Sequence, residues 1–294
     1  MDKILTGLIV KAISGFYYVE TAEMLYECKA RGVFRKKGIS PCVGDRVNIS
    51  LSDDGKGTVD EILPRKNSII RPPLANLDRL FIVSSVAQPS PNTIIIDKIT
   101  AVAVSKGIEP VIIFTKSDLG DCSGLLDIYR DSGITALCYS IKTGDGKENI
   151  LSLLENKISA FTGNTGVGKS SMLNSLFPEF EIQTAEISKK LGRGRHTTRH
   201  SELYKINGGY VADTPGFSTV DIERYEMIEL DKIQHCFPEF DGYICDCQFT
   251  GCSHTVEKGC AVLQAVADGR ISKSRHESYK YMYNEVKSIP KHYH

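Results

Sequence analysis

One eight-residue run constrains the fold of this 294-residue chain more than any other feature. Residues 163–170 read G-N-T-G-V-G-K-S and fit the pattern G-x-x-x-x-G-K-[ST], between a predicted strand at 158–161 and a predicted helix at 169–177. There the glycines let backbone N–H groups curl around a phosphate, and the helix N-terminus adds positive potential. A chance glycine-rich turn is the alternative, and the complete motif at a strand–helix junction disfavours it. The run therefore predicts nucleotide binding on an α/β sheet.

The side chains of this phosphate loop have separate expected roles. Lys169 can reach the β- and γ-phosphates, and the Ser170 hydroxyl can ligate Mg²⁺. The loop alone does not distinguish ATP from GTP. The residues predicted to contact the phosphates are Gly163, Asn164, Thr165, Gly166, Val167, Gly168, Lys169, Ser170 and Ser171.

A second loop, Thr115-Lys116-Ser117-Asp118, is predicted to select guanine. It ends a predicted strand at the carboxyl edge of the sheet, where nucleotide sites form, and matches the guanine-recognition pattern [NT]-K-x-D. Guanine offers two donors, N1–H and the N2 amino group, to one carboxylate, whereas adenine would leave Asp118 unpaired. Lys116 can lie along the base plane, and Thr115 in place of the commoner Asn is expected to loosen the tie to neighbouring loops. A solvated K-x-D loop is the alternative for the tetrapeptide taken alone.

Two further elements complete the predicted nucleotide site. A degenerate match to the S-A-K loop that backs the base follows a predicted strand and consists of Ser140, Ile141 and Lys142. Residues 213–216 read D-T-P-G and follow the apolar strand 210–212, so that Asp213 can hold Mg²⁺ through water and the Gly216 N–H can sense the γ-phosphate. A plain type I turn is the alternative for D-T-P-G.

The order of these motifs along the chain is permuted. The base loop at 115–118 and its companion at 140–142 precede the phosphate loop, which comes first in most GTPases. A permuted chain can keep the same spatial sheet because loops and termini tolerate such cuts. The segment after Gly216 therefore leads directly into the C-terminal part of the chain.

The pattern of apolar residues changes along the chain. Residues 1–72 alternate apolar and polar positions in short runs separated by turn signals, which predicts a small all-β barrel or sandwich. After Pro72-Pro73 strands and helices alternate, as in a parallel sheet covered by helices. An acidic segment, a Cys/His cluster and a tail with helical spacing at 261–286 follow. We predict domains at 1–72, 73–225 and 226–294.

Charge and hydropathy indicate which classes of partner this chain can bind. Formal net charge is zero, but residues 187–200 carry five Lys or Arg and no acid, so a local patch can meet nucleic acid. A turn near residue 35 is also basic; it is either a solvated face or a nucleic-acid contact, and its residues are Lys29, Arg31, Arg35, Lys36 and Lys37. No run reaches membrane-spanning length, which predicts a cytoplasmic protein without a membrane partner.

Five of the nine cysteines fall between Cys236 and Cys260, and in a reducing compartment such clustering with His predicts a metal site before a disulfide. Cys247, Cys252, His254 and Cys260 supply three thiolates and one imidazole, a closed tetrahedral shell for structural zinc. Few large apolar residues surround the cluster, so metal binding is expected to hold the region folded. Cys245, two residues before Cys247, could compete as a ligand.

The permuted motifs, the run G-R-G-R-H-T-T at 192–198 and the Cys/His spacing together resemble the RsgA (YjeQ/YloQ) family of ribosome-associated GTPases over nearly the whole chain. The resemblance implies an N-terminal OB-fold, a permuted GTPase domain and a C-terminal zinc domain. It implies GTP hydrolysis to GDP during late maturation of the small ribosomal subunit, faster when bound to that subunit and its rRNA. It also selects Cys247 as the zinc ligand. We expect a monomer.

The residue after Gly216 bears on mechanism. Phe217 stands where many GTPases have a Gln that orients the attacking water, so another group must act or hydrolysis must be slow without a partner. His196 is the candidate, with an RNA contact or an ordinary surface histidine as alternatives. Thr197 or Thr198 should complete the Mg²⁺ shell, with Thr198 preferred. Besides a ribosome-assembly GTPase, a GTP-dependent RNA-binding or signalling module without turnover stays open, whereas Asp118 disfavours an ATPase.

Overall fold

The computed structural model describes residues 4–36, 38–52, 56–178, 201–213 and 228–289. The chain divides into two compact units. The first comprises Met1–Arg79, Asn149–Phe161 and Gln183–Phe217, and the second comprises Leu80–Glu148, Thr162–Ile182 and Ser218–His294. These units follow spatial contacts rather than single stretches of chain, and the domain boundaries given above stay predictions.

The N-terminal residues form a closed barrel of five strands: β1 (Ile4–Ile13), β2 (Phe16–Thr21), β3 (Leu25–Ala30), β4 (Arg46–Leu51) and β5 (Gly57–Ile62). The strand order is β1-β2-β3-β5-β4, and β4 pairs back onto β1. The β3–β5 pair is parallel and the others are antiparallel, the connectivity of an OB-fold. Alternate side chains such as Val19, Val47, Ile49 and Val59 fill the interior. The predicted OB-fold barrel is confirmed.

A short helix, α1 (Val33–Lys36), follows β3, and a small two-stranded sheet of β6 (Ser68–Ile69) and β7 (Leu74–Ala75) follows the barrel. The chain then alternates strand and helix through β8 (Arg79–Ser85), α2 (Thr93–Ser105), β9 (Glu109–Thr115), α3 (Ser123–Tyr129) and β10 (Thr135–Tyr139). The sheet order here is β10-β9-β8, and β9 and β10 are parallel. Leu80, Phe81 and the run Val111 to Phe114 are fully buried, as expected of strands covered on both faces.

The chain continues through α4 (Lys147–Leu154), β11 (Ile158–Gly163) and α5 (Lys169–Leu176). After the segment 179–200, β12 (Ser201–Ile206) and β13 (Gly209–Asp213) form an antiparallel hairpin. Asn207 and Gly208 turn the hairpin with φ of 47° and 74°, the two positive φ values that a tight Asn-Gly turn requires. Within the first unit β11 pairs with β13, and β12 pairs with β1 of the barrel.

Within residues 228–289, the structure contains two short 3₁₀ turns and three helices: α6 (Asp241–Ile244), α7 (Ala261–Ala267) and α8 (Lys273–Lys287). The helical tail is interrupted at Gly269, whose φ is 74°, so its spacing belongs to two helices rather than one. Phe237, Phe240 and Tyr279 pack with ring centroids 4.9–5.4 Å apart. The expectation of a region poor in large apolar residues is therefore wrong around α8, where aromatic side chains from two segments form a core.

A buried arginine holds α8 against α2 within the second unit. The Arg275 guanidinium donates to Asp97 Oδ1 at 2.7 Å and to Glu239 Oε1 at 2.7 Å, and all three side chains are buried. Tyr129 Oη donates to the same Asp97 oxygen at 2.9 Å. These neighbouring carboxylates offset the cost of burying the guanidinium, because an unpaired buried charge would be strongly destabilising.

Candidate nucleotide site and metal centre

The phosphate loop occupies the junction between β11 and α5. Gly163 ends the strand so close to the neighbouring backbone that a Cβ there would lie 2.5 Å from the Val83 carbonyl oxygen. Gly168 caps the N-terminus of α5 with a φ of 91°, a left-handed conformation that L side chains rarely adopt. Lys169, Ser170 and Ser171 form the first turn of the helix. The local geometry thus needs glycine at both positions and presents the helix N-terminus that binds phosphate.

The base loop is attached directly to the phosphate loop. The Thr115 hydroxyl lies within hydrogen-bonding distance of the Val167 and Ser84 carbonyl oxygens, and its single proton can serve one of them at a time. Lys116 Nζ donates to the carbonyl oxygens of Gly166, at 2.9 Å, and of Gln88. The expected loosening by Thr115 is not observed, because the buried hydroxyl itself reaches the phosphate loop.

The companion loop fixes the orientation of the predicted guanine-binding carboxylate. Ser140 Oγ donates to Asp118 Oδ1 at 2.8 Å. Ser140 Oγ also accepts hydrogen bonds from the backbone N–H groups of Lys142 and Thr143, both at 3.2 Å. Ser140 is buried whereas Asp118 is exposed, so the carboxylate is held from behind and faces solvent, where a base can reach it. Ile141 in place of Ala is 45% exposed and creates no packing conflict.

A loop between β8 and α2 also belongs to this site and was not identified from the sequence. Besides the contact from Lys116 to Gln88, Pro89 approaches Gly166, and a cavity of about 110 Å³ lies against the phosphate loop. Ser90 and Asn92 are among its lining residues, with Asn164 and Thr165 on the phosphate-loop side. The sequence signal that could have identified this loop is its position: it follows a strand at the carboxyl edge of the sheet, where nucleotide sites form.

The structure also contains a disulfide between Cys122 and Cys138, 16 residues apart. Cys122 lies four residues after Asp118, and Cys138 lies two residues before Ser140. The bond therefore joins the two segments that carry the base loop and its companion. The spacing of Cys122 and Cys138 in the sequence carries no pairing signal.

The four predicted zinc ligands converge in the C-terminal region. The ligand atoms of Cys247, Cys252, His254 and Cys260 all lie within 4.8 Å of one another. His254 directs Nδ1 toward the sulfurs, 3.4 Å from Cys260 Sγ and 3.6 Å from Cys247 Sγ. Three thiols and one imidazole in this arrangement fit tetrahedral zinc with no open position. Cys245 is exposed and lies outside this group.

The surroundings of the cluster orient its histidine. His254 Nε2 lies 2.9 Å from Gln234 Oε1, which fits a neutral ring that donates from Nε2 and leaves Nδ1 for a metal. Burial lowers the pKa of His254 and so favours the neutral form. Burial also raises the pKa of the Cys252 thiol to about 12, so a bound cation would be needed to hold the thiolate at neutral pH.

The Glu257 carboxylate stabilises the loop that connects Cys252 to Cys260. Glu257 accepts hydrogen bonds from the Ser253 hydroxyl and from the backbone N–H groups of Ser253, Thr255 and Val256. Burial acts to raise the pKa of Glu257, but these hydrogen bonds outweigh it and lower the pKa to about 2. The loop around His254 is thus held in part by the protein itself.

Some predicted site residues lie outside the described residues: Lys37, His196, Thr198 and Gly216. Arg35 and Asp213 lie in α1 and at the end of β13, and nothing is stated of their side chains. The structure brings together the base loop, its companion and the phosphate loop, all in the second unit. The roles of the individual site residues stay predictions.

An α/β sheet that carries a G-x-x-x-x-G-K-S loop bound to a T-K-x-D loop defines a P-loop protein with a guanine-type base loop. Comparisons with family models agree with this class. The model described as RsgA GTPase matches residues 62–223, and the model described as RsgA N-terminal domain matches residues 6–59.

Relatives and solved structures are similar over nearly the full length. The chain is 42% identical over 282 residues to the protein named small ribosomal subunit biogenesis GTPase RsgA of Streptococcus pneumoniae, covering 96% of this chain and 94% of the relative. It is 43% identical over 289 residues to the protein of the same name from Caldanaerobacter subterraneus, covering 97% of each.

The crystal structure of YjeQ from Thermotoga maritima matches with a TM-score of 0.83 and 34% identity, covering 98% of this chain and 100% of that one. The crystal structure of YloQ, described as a circularly permuted GTPase, matches with a TM-score of 0.81 and 34% identity, covering 99% and 98%. The chain therefore belongs to the RsgA family of GTPases.

Proposed function

We propose that this protein is a GTPase that acts in late maturation of the small ribosomal subunit, binds its rRNA, and hydrolyses GTP faster on the subunit. The observation that carries the proposal is the set of base-loop contacts, in which Ser140 orients Asp118 and Thr115 and Lys116 tie the loop to the phosphate loop. Family membership supports the ribosomal role, because the curated relatives are named for small-subunit biogenesis.

The binding step follows from the described loops. Asp118 accepts from guanine N1–H and the N2 amino group, while Lys169 and the backbone N–H groups of residues 163–168 hold the phosphates. Ser170, Thr198 and Asp213 would hold Mg²⁺, which when bound neutralises charge that develops on the phosphate oxygens. Because the loops are already connected by hydrogen bonds, GTP binding should not need a partner.

The chemical step is proposed to depend on a partner. Phe217 cannot orient the attacking water, and we assign that task to His196, which lies in a segment with five positive charges. Those charges repel one another unless an anion neutralises them, and rRNA is such an anion. Binding to the subunit would therefore neutralise these charges and bring His196 toward the γ-phosphate, since control of a switch segment by a partner is common among GTPases.

Two peripheral regions complete the proposal. Arg35 and Lys36 in α1, together with the adjoining Lys37, would contact rRNA phosphates. One structural zinc at Cys247, Cys252, His254 and Cys260 would stabilise the C-terminal domain. No helix among the described residues is both long and apolar enough to span a bilayer. We propose a cytoplasmic monomer.

A GTP-dependent RNA-binding or signalling module without turnover is the second candidate function, and Phe217 favours it.

Sedimentation with purified small ribosomal subunits tests the proposed ribosomal function. A non-hydrolysable GTP analogue should give more co-sedimentation than GDP, and neutralising Arg35, Lys36 and Lys37 together should flatten the salt dependence, because fewer counterions are released. Equal co-sedimentation with both nucleotides would contradict the proposal.

His196→Ala separates the two candidates. The variant should still bind GTP and subunits but lose most of the subunit-stimulated rate. Stimulated hydrolysis as fast as that of the wild type would remove His196 from the mechanism. Negligible hydrolysis by the wild type on subunits would instead favour the second candidate.

A further inference from the structure

The hairpin β12–β13 is joined to the barrel through the first residues of β12. Backbone pairing aligns Lys11 with Glu202 and Ala12 with Ser201, so β1 of the barrel is hydrogen-bonded to the first residues of β12. In the sequence, Ser201 directly follows the basic segment 187–200, and Asp213 at the other end of the hairpin begins the D-T-P-G motif. The barrel therefore contacts the element that connects the basic segment, which carries His196 and Thr198, to the D-T-P-G motif.

Side chains reinforce this junction on one face. Glu20 on β2 of the barrel accepts from Lys205 Nζ at 2.7 Å through Oε1 and from Tyr210 Oη at 3.0 Å through Oε2. Lys205 and Tyr210 are cross-strand partners in the hairpin. One barrel carboxylate thus contacts both hairpin strands, which fixes the hairpin's position more than a contact with one strand would.

A second ion pair lies nearer the entry of the hairpin. Lys11 Nζ lies 2.9 Å from Glu202 Oε2, and both side chains are about one-third exposed. This pair coincides with the backbone register, since Lys11 and Glu202 are aligned neighbours on β1 and β12. Lys11 contacts one strand of the hairpin, whereas Glu20 also supplies a direct side-chain contact from the barrel to β13.

The protonation states suit the arrangement at neutral pH. The hydrogen bond from Lys205 lowers the pKa of Glu20, which is therefore a carboxylate. Burial, followed by the bond to Glu20, raises the pKa of Tyr210, which is therefore a phenol able to donate. Charge and hydrogen-bond direction both agree with the observed contacts.

We propose that Glu20 is a positioning residue that couples the barrel to the nucleotide site by fixing the β12–β13 hairpin. The inference rests on the proposed function, in which the subunit stimulates hydrolysis, and adds that subunit contact with the barrel contributes to this stimulation. Among the described residues, the hydrogen bonds of Glu20 go to Lys205 and Tyr210 and not to the base, companion or phosphate loops, so its loss should leave basal hydrolysis unchanged. Loss of Glu20 should reduce the part of the subunit-stimulated hydrolysis rate that depends on the barrel.

Glu27 provides a matched control. It lies on β3, beside β2, and accepts from Tyr18 Oη at 3.0 Å within the barrel. Glu20→Ala and Glu27→Ala remove the same charge and similar volume from neighbouring strands, but only the first removes the contacts to Lys205 and Tyr210. Circular dichroism should show that both variants fold as the wild type does.

The test compares GTP hydrolysis by the full-length variants with and without small ribosomal subunits. Glu20→Ala should lower the stimulated rate about two- to fivefold, the range expected for partly exposed ion pairs, with an unchanged basal rate. Glu27→Ala should behave as wild type. Glu20→Lys and Lys205→Glu should each lower stimulation, and the double variant should regain it. Equal stimulation in Glu20→Ala and wild type would overturn the coupling.

Hydrogen exchange separates this inference from the proposed function. Replacing GDP by a non-hydrolysable GTP analogue should change amide exchange in both β1 and β12 of the wild type. In Glu20→Ala the change should persist in β12 and shrink in β1. If subunits do not stimulate the wild type, the proposed function fails while this measurement still decides the coupling. An unaltered nucleotide response of β1 in Glu20→Ala would refute it.

Discussion

The guanine loops and the Cys/His cluster are both short, motif-bearing segments, but different interactions hold them. In the guanine loops, hydrogen bonds from the protein's own groups fix each part, as between Ser140 and Asp118. In the cluster, Cys247 Sγ lies 3.9 Å from Cys260 Sγ, a contact that adds little by itself. The base site is therefore organised before its ligand binds, whereas the metal loop, although Glu257 holds part of it, depends on an ion to join its four ligands.

Removing a zinc ligand should have the largest effect. Cys252→Ala should abolish stoichiometric zinc and unfold the segment 245–260, because structural zinc contributes on the order of 10 kcal/mol to such folds. Guanine-nucleotide binding should persist, since its loops make their own hydrogen bonds. Metal analysis and hydrogen exchange measure both outcomes.

Cys245→Ala is the matched control, because Cys245 is exposed and lies outside the convergent group. It should keep one zinc per chain. Wild-type protein without zinc after purification without chelator, or equal metal loss in both variants, would contradict the assignment.

Asp118→Asn should have the next largest effect. It replaces a carboxylate that can accept two guanine donors, which should weaken GTP binding about 10²- to 10⁴-fold and shift preference toward xanthine nucleotide. Asp121→Asn serves as the control, since Asp121 hydrogen-bonds to Ser123 and not to the base loop. Titration with fluorescent guanine and xanthine nucleotides gives the ratio. Unchanged GTP affinity in Asp118→Asn would refute the base-loop assignment.

Thr115→Val tests how far the organisation of the base site depends on one hydroxyl. The substitution keeps the shape but leaves buried carbonyl oxygens of Val167 and Ser84 without that donor, at a cost of about 1–3 kcal/mol. GDP should dissociate about tenfold faster. Thr135→Val, at an exposed position on β10, should dissociate GDP at the wild-type rate. Stopped-flow measurement that finds both variants alike would show that Thr115 is not a structural tie.

Glu257→Gln should have the smallest effect and should appear in the pH dependence. The pKa of Glu257 is lowered in the fold from 4.5 to about 2. Its stabilising contribution is therefore present above pH 4.5 and is lost as pH falls toward 2. The variant should lose about 1 kcal/mol of stability at pH 7, a value reduced for solvent screening. Denaturant unfolding of the C-terminal region should show this difference shrinking below pH 4; a constant difference would contradict it.

Local patterns predicted much of this molecule. Residues 163–170 and 115–118 carry complete motifs at strand ends. The alternation of residues 1–72 predicted a small all-β barrel or sandwich, and the family resemblance implied the OB-fold. The zinc ligands converge because their spacing lies within one short loop. Each of these features depends on neighbours close in the chain.

What could not be predicted depends on partners far apart in sequence. The contacts of Arg275 with Asp97 and of Glu20 with Lys205 span 178 and 185 residues and leave no periodic signal. Thr115 was misjudged because its reach to Val167 is set by tertiary packing rather than by side-chain length. The Gln88 loop carries no motif, and its role emerged only from the position of its carbonyl oxygen.

Multiple-turnover hydrolysis by the intact protein tests the central claim most directly. GTP and ATP are each measured with and without purified small ribosomal subunits at fixed Mg²⁺ and salt. The account predicts slow GTP hydrolysis by the free protein, a large increase with subunits, and no ATP hydrolysis above background in either case. Equal GTP rates with and without subunits, or ATP turnover comparable to GTP turnover, would contradict it.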